Sequence, residues 1–393
     1  MNWKEASHKG ENLYDLPGDW LKIEYFEAIN ILFRVENSLR VFVYIILKNE
    51  FKDKWKDLSV TSDDSENSTI GAIAKKRITQ DKNYAYLGYP LTSPLLYLTS
   101  GELIRIITSD NYWKLFKKYF LGSREIIKNK LDEIGNVRNS LAHFRPVKKG
   151  DIELVKQNSI HTLTQIEKTL SDYINCVDIV PTNTENQWYT ELITLGIDQC
   201  KLNFRQSKNE DWIKLQLCFI PPILKKTEIY LGFRVHTLNL KTDQLLLNYH
   251  RLSKYCISST EINPTAFLSD VHNHKLIKRI EFTFSRTTLE NNYLKIKSDL
   301  EDILLKITQE ITLITQDNLA RGKLIEAITC TYNKHESSEY YNLYAKQYNT
   351  EINENSPVEF WGTLNYVYDG FITSTEKYPW MTVDISEDKD LPF

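Results

Sequence analysis

Residues 133–146 read Glu133-Ile134-Gly135-Asn136-Val137-Arg138-Asn139-Ser140-Leu141-Ala142-His143-Phe144-Arg145-Pro146, and this stretch decides how the N-terminal half is read. Ile126, Ile127, Leu131, Ile134, Val137 and Leu141 recur at helical spacing and predict one buried stripe. Ser123 stands where a helix cap belongs. Pro146 is expected to end the helix, because the residue before a proline is pushed out of the α region. Near that end Arg138 and His143 lie five positions apart. Nowhere else in the chain does a histidine follow an arginine by five to seven residues.

Helical periodicity extends outward on both sides. Trp20 to Phe51 reads as one long helix carrying Ile23, Phe26, Leu32, Phe33, Leu39, Phe42 and Ile46. Glu36 and Arg40 are four apart in it and pair on one face, a spacing that is more often structural than catalytic. Ser59–Ser68 is a polar, acidic loop, Ile70–Ile78 a short helix, and Tyr84–Pro94 a connection punctuated by Pro and Gly. Thr99 and Glu102 form a capping box that opens a helix with Leu103, Ile106 and Ile107. Trp113, Phe116 and Phe120 continue its apolar side after a break at Ser109-Asp110. Asp151 is expected to cap a fourth helix with Leu154, Val155, Leu163, Ile166, Leu170 and Ile174 inside. Four amphipathic helices with few strand signals predict an up-and-down bundle over residues 1–178.

Past a linker at Val180–Asn186 the period changes to two. Leu195–Phe204, Ile213–Phe219, Ile229–Val235 and Ile280–Phe284 each predict a strand, with Lys208-Asn209-Glu210-Asp211 as a turn between antiparallel neighbours. Leu289–Asp317 predicts a long helix with Leu294, Leu300, Ile303, Leu304, Ile307, Ile311 and Ile314 on its apolar side. Leu319–Tyr348 reads as helical, and Phe360–Phe393 as aromatic and irregular with an acidic end. The fold class expected is α+β in two domains: an all-α bundle at 1–178, then an α+β domain at 188–393 with an antiparallel sheet and a long helix.

Composition narrows the function. The net charge of −3 does not mark a nucleic-acid binder, but it is unevenly spread. Residues 1–178 carry 26 basic against 24 acidic groups, and Lys114–Lys149 carries 10 against 3. Such a local field can hold a phosphate backbone, though a charge run is also what an ordinary solvated face looks like. Five cysteines stand singly, which fits a reducing cytoplasm better than a disulfide framework or a zinc site. Met1-Asn2-Trp3-Lys4-Glu5 does not read as a signal peptide, and the longest apolar run, Val41–Leu47, is too short to span a bilayer, so a cytoplasmic protein without a membrane partner is expected. Asp270, His272 and His274 have metal-ligand types but no further cluster to complete a site, so they read as a loop. His236 and His250 read as structural, and the tail aromatics Trp361, Tyr366, Tyr368, Phe371, Tyr378 and Trp380 as core rather than a partner surface. No Gly-rich phosphate loop is present, so nothing supports ATP or GTP hydrolysis, and no cofactor is expected.

Arg138 and His143 suit metal-free RNA cleavage. The ribose 2′-OH must lose a proton and the leaving 5′-oxygen must gain one, and histidine does both near neutral pH. His143 falls in the last helical turn, where the dipole favours imidazolium. Arg138 supplies a permanent charge and a fork of donors to the phosphorane oxygens. Asn139 is placed to orient His143 or the phosphate, and Arg145, Lys148 and Lys149 to hold flanking phosphates. Five helical residues advance about 7.5 Å and turn about 140°, so one helix closes poorly around one phosphate and a symmetric dimer is favoured.

Residues from about 20 to 175, two fifths of the chain, resemble a HEPN domain, a helical bundle found in many prokaryotic RNase toxins and defence proteins. The resemblance rests on Arg138-Asn139-Ser140-Leu141-Ala142-His143, which fits the family pattern of an arginine followed by a polar residue, with four to six intervening positions before a histidine. It is supported by Tyr97–Ile107 upstream, by Phe144-Arg145-Pro146-Val147 downstream, and by Glu36–Arg40, all of which look like the subgroup tied to phage defence. It implies that Arg138 and His143 are the catalytic pair of an endoribonuclease, that dimerisation builds the site, and that a phage-derived trigger or an antitoxin partner exists. Some HEPN domains only bind, so a non-catalytic RNA- or protein-binding scaffold is the alternative.

Overall fold

The computed structural model describes residues 7–11, 13–15, 23–60, 69–83, 94–143, 145, 147–174, 181–182, 184–230, 232–268, 274–317, 321–334, 341–344, 350, 352 and 355–363. The chain is mixed α/β: after a two-stranded hairpin come helices, and two larger, largely antiparallel sheets follow.

A small hairpin, β1 (Ser7–Gly10) and β2 (Leu13–Asp15), precedes α1 (Ile23–Phe51). Then come α2 (Ile70–Asn83), α3 (Ser100–Thr108), the short α4 (Trp113–Phe116), α5 (Arg124–Ala142) and α6 (Lys149–Ile174). Helices α1, α3, α5 and α6 pack on one another around Leu39, Phe42, Leu103, Ile107, Leu131, Val155 and Leu170. The Thr99 cap forms as expected: Thr99 Oγ1 accepts from Glu102 N, and the Glu102 carboxylate accepts from Thr99 N at 2.7 Å. Arg77 of α2 forks onto the same carboxylate at 2.7 and 2.8 Å.

Helix ends differ from expectation in instructive ways. α5 stops at Ala142 with His143 as its C-cap, before Pro146 is reached. α6 starts at Lys149, and Asp151 sits inside its first turn, where its carboxylate accepts from Lys148 N at 2.8 Å. α2 runs five residues past Ile78, to Asn83. Ile126 and Leu154, expected inside, are 51% and 38% exposed. Each precedes a better-placed residue, Ile127 or Val155, and one helical step of about 100° carries it off the buried stripe.

From Phe42 to Lys48, α1 is buried on every side. A helix apolar all round must have neighbours all round. Bundle helices cover one side; the other meets the sheet-bearing half. Tyr44 Oη donates to the Ile257 carbonyl at 2.7 Å, and Lys48 Nζ reaches the Ser253 carbonyl at 3.1 Å and Glu359 at 2.7 Å.

The second half begins with α7 (Gln187–Ile193), β3 (Gly196–Ile197), β4 (Cys200–Gln206), β5 (Trp212–Phe219), β6 (Lys225–Ile229) and β7 (Gly232–Leu240). It continues with α8 (Thr242–Asn248), α9 (His250–Tyr255), β8 (Ser258–Leu268), β9 (His274–Ser285) and α10 (Arg286–Asp317). It closes with β10 (Ile325–Lys334), β11 (Tyr341–Tyr344) and β12 (Phe360–Thr363). One sheet runs β12-β8-β9-β5-β4-β3 and the other β11-β10-β7-β6. Every pairing is antiparallel except β12 with β8. β8 takes a bulge between Ile262 and Thr265, where Pro264 cannot donate to the ladder.

The six-stranded sheet is covered on both faces, and β5 is buried along its whole length. Ile213, Leu215, Leu217 and Phe219 share a core with Leu300, Ile303 and Ile307 of α10. On the opposite face Trp212 meets Tyr173 of α6 edge to face, and Lys214 Nζ donates to the Ile174 carbonyl at 2.9 Å and to Glu281 at 3.1 Å. The polar residues that alternate along β5 are therefore buried and bonded, Gln216 Nε2 also donating to Glu281 at 3.1 Å.

Five further expectations need correction. Ile229–Val235 is two strands of a hairpin, turning at the 92%-exposed Tyr230 just before Gly232. Leu195–Phe204 is likewise a hairpin of β3 and β4. The described residues of 319–348 are not helical: β10 and β11 occupy most of them, as the Thr329-Cys330-Thr331-Tyr332 run of strand formers favours. Phe360–Thr363 is a strand within the stretch expected to be irregular. Leu294, placed on the apolar side of α10, is 60% exposed. Most of the Ser59–Ser68 and Tyr84–Pro94 segments, together with Cys176, Asp270, His272 and the tail beyond Thr363, lies outside the described residues.

Candidate functional site

Three helices bring the site together. Arg138 projects from α5, a little over a turn before its end, and its side chain is 36% exposed. Its Nε donates to Glu36 Oε2 of α1 at 3.0 Å, and Nη1 lies 3.4 Å from Asn139 Oδ1. Ser100, the first residue of α3, donates its hydroxyl to the same Oε2 at 2.6 Å. Arg40 pairs with Glu36 Oε1 and donates to Asn37 Oδ1 at 2.9 Å and to the Leu98 carbonyl at 2.9 Å. One carboxylate thus serves two guanidiniums, leaving one positive charge in excess, directed to solvent at Arg138.

His143 caps α5 with φ −98° and ψ 16°, and its N–H donates to the Asn139 carbonyl at 3.1 Å. The residue is exposed. It stands at the C-terminal end of α5. Among the described residues no side chain hydrogen-bonds its ring, so Asn139 is joined to Arg138 rather than to His143. Arg145 N–H closes onto the Ser140 carbonyl at 2.8 Å, and Arg145, Lys148 and Lys149 are all exposed just beyond His143. The sequence had assigned Glu36 to a structural pair with Arg40 and had given Ser100 no role. A signal was present: an acid in an otherwise apolar helix core needs a partner, and its i+4 arginine uses one of its oxygens.

Elsewhere the chemistry is quiet. Burial pushes the thiols of Cys200, Cys218, Cys256 and Cys330 up, which removes them as ready nucleophiles. Burial raises the Glu102 carboxyl, but the Arg77 fork and the Thr99 cap outweigh it and leave it below its ordinary value. Among the described residues no group of three His, Cys, Asp or Glu side chains is placed to hold a metal ion. No described helix is long and apolar enough to cross a membrane. His236 Nδ1 bonds Thr329 Oγ1 at 2.9 Å, and His250 lies 3.4 Å from Asp53.

No family model matches the chain, and no curated protein or solved structure matches it either.

Proposed function

We propose that the chain is a metal-independent endoribonuclease of the HEPN type, a cytoplasmic toxin or abortive-infection effector of prokaryotic phage defence that acts as a homodimer. The observation that carries this reading is Arg138 held at the surface by Glu36, with exposed His143 five residues on. Carboxylate bonding through Nε leaves Nη2, and the Nη1 proton not directed at Asn139, to turn toward a phosphate. In the proposed reaction His143 takes the proton of a ribose 2′-OH. The 2′-oxygen attacks phosphorus, the bond to the 5′-oxygen breaks, and that oxygen takes a proton from His143 of a second copy. Arg138 stabilises the phosphorane oxygens, and Arg145, Lys148 and Lys149 hold flanking phosphates. The products are a 2′,3′-cyclic phosphate and a 5′-OH. A trigger or antitoxin partner would act on the sheet-bearing half.

A second reading has one observation in its favour. The Glu36 bridge gives Arg138 a complete structural role, so the same surface serves a scaffold that binds RNA or protein without turnover. Labelled RNA incubated with the protein in EDTA separates the two. Cleavage to cyclic-phosphate ends, lost in both Arg138→Ala and His143→Ala, supports the nuclease; binding without cleavage supports the scaffold.

A further inference from the structure

Strand β12 joins two cores. Phe360 enters the core between the six-stranded sheet and α10, while the next residue, Trp361, packs against the helical core. Its ring centroid lies 5.8 Å from Tyr44 of α1 and 5.9 Å from Tyr173 of α6. Just before the strand, Glu359 bonds Lys48 Nζ at 2.7 Å, and its own carbonyl accepts from Ser259 N–H of β8 at 2.6 Å. Lys48 is a buried cation whose side chain is 1% exposed; Asp53, at 3.5 Å, is a more distant and more exposed partner.

The strand itself is lightly held. It lies at a sheet edge, is four residues long, and is the single parallel neighbour in its sheet, with a register shift between Phe360 and Thr363. Parallel pairing is slightly weaker per residue than antiparallel. Gly362 has φ +68°, and a Cβ there would meet Ile352 at 2.9 Å. A short edge strand therefore carries the counter-ion of a buried ammonium.

We infer that residues 356–363 are a latch: docked, β12 fixes the C-terminal half of α1 through Glu359 and Trp361; withdrawn, it leaves Lys48 with only the more distant, more exposed Asp53 and the Ser253 carbonyl, and frees α1 to shift. A buried ammonium that loses its close carboxylate is strongly destabilised where it stands, which favours a shift that brings it to water. Glu36, the anchor of Arg138, lies on the same helix about 18 Å from Lys48, and a tilt of about 5° displaces it by about 1.5 Å. That exceeds what the 3.0 Å bond to Arg138 tolerates. Regulation of the Arg138 site rests on the nuclease reading; the latch does not.

Hydrogen exchange followed by mass spectrometry on the full chain tests both parts. Glu359→Gln should raise exchange in peptides from 33–48 of α1 by roughly tenfold or more, with α10 unchanged. The pair Lys48→Met with Glu359→Leu removes both charges and should restore protection. Should Glu359→Gln fail to accumulate as folded protein, Trp361→Ala, which removes packing but no charge, is read the same way. Unchanged exchange at 33–48, or a rise confined to 41–48 that leaves 33–40 protected, overturns the inference. RNA cleavage in the same samples is scored separately: an inactive wild type sinks the nuclease reading and leaves the exchange result standing.

Discussion

Glu36 accepts a hydrogen bond from Arg138 at 3.0 Å across 102 positions of chain, and the same oxygen accepts from Ser100. The contact fixes which edge of the guanidinium faces the protein. It also makes α1, rather than the helix bearing the arginine, the element that sets the site.

Glu36→Gln keeps the shape and removes the charge. The expected result is a loss of roughly 1–3 kcal/mol of stability, since Arg40 and Arg138 lose a shared partner. RNA cleavage should fall through kcat with little change in KM, which steady-state kinetics on a defined oligonucleotide would read.

Arg138→Lys should not rescue function. A lysine has a single nitrogen, so it cannot bond Glu36 and present a planar fork outward at once. Activity should drop about 100-fold or more while the melting temperature moves little. Retained cleavage in this variant would count against the assigned geometry.

Lys148 and Lys149 are exposed beside His143. Neutralising both should weaken RNA binding for all sequences alike and reduce the slope of log affinity against log salt by about 1–2. A binding titration across a series of salt concentrations measures this directly.

Glu102 makes a pH prediction with a definite sign. Its folded carboxyl lies below the ordinary 4.5, so the unfolded chain binds the proton more readily. The associated stability is present above 4.5 and is lost as pH falls through the lower folded value. Thermal melts from pH 3 to 7 should show this acid limb flattened in Glu102→Gln.

Gly322 should not tolerate alanine. The new Cβ would lie 2.4 Å from Glu310 Oε2, which accepts from Leu324 and Ile325 N–H at 2.8 Å each. Displacing that carboxylate orphans buried amides and should cost about 1–3 kcal/mol, seen as a lower denaturant midpoint with an unchanged slope.

Much of the fold was legible because local rules acted alone. Ser123 and the Thr99–Glu102 box needed nothing beyond their own turns, and the α10 stripe followed from its periodicity. The misses have a common cause in contacts from distant chain. The hairpin turn at Tyr230 interrupts a run of alternating apolar residues, and β10 gains its strand state by pairing with β7. At the site, the place of Arg138 and His143 near the end of α5 followed from the helix pattern, while the bonds that Glu36 and Ser100 make there did not. Their role exists only where α1, α3 and α5 meet.

The bond between Lys48 and Glu359 spans 311 positions, and that distance becomes a delay during synthesis. At about 5–20 residues per second, a ribosome needs roughly 15–60 s to travel it. Throughout that interval Lys48 lacks its closer carboxylate and has Asp53, five residues on, as its acidic partner. The C-terminal half of α1 therefore cannot take its final setting until β12 has been made and has closed Glu359 over Lys48.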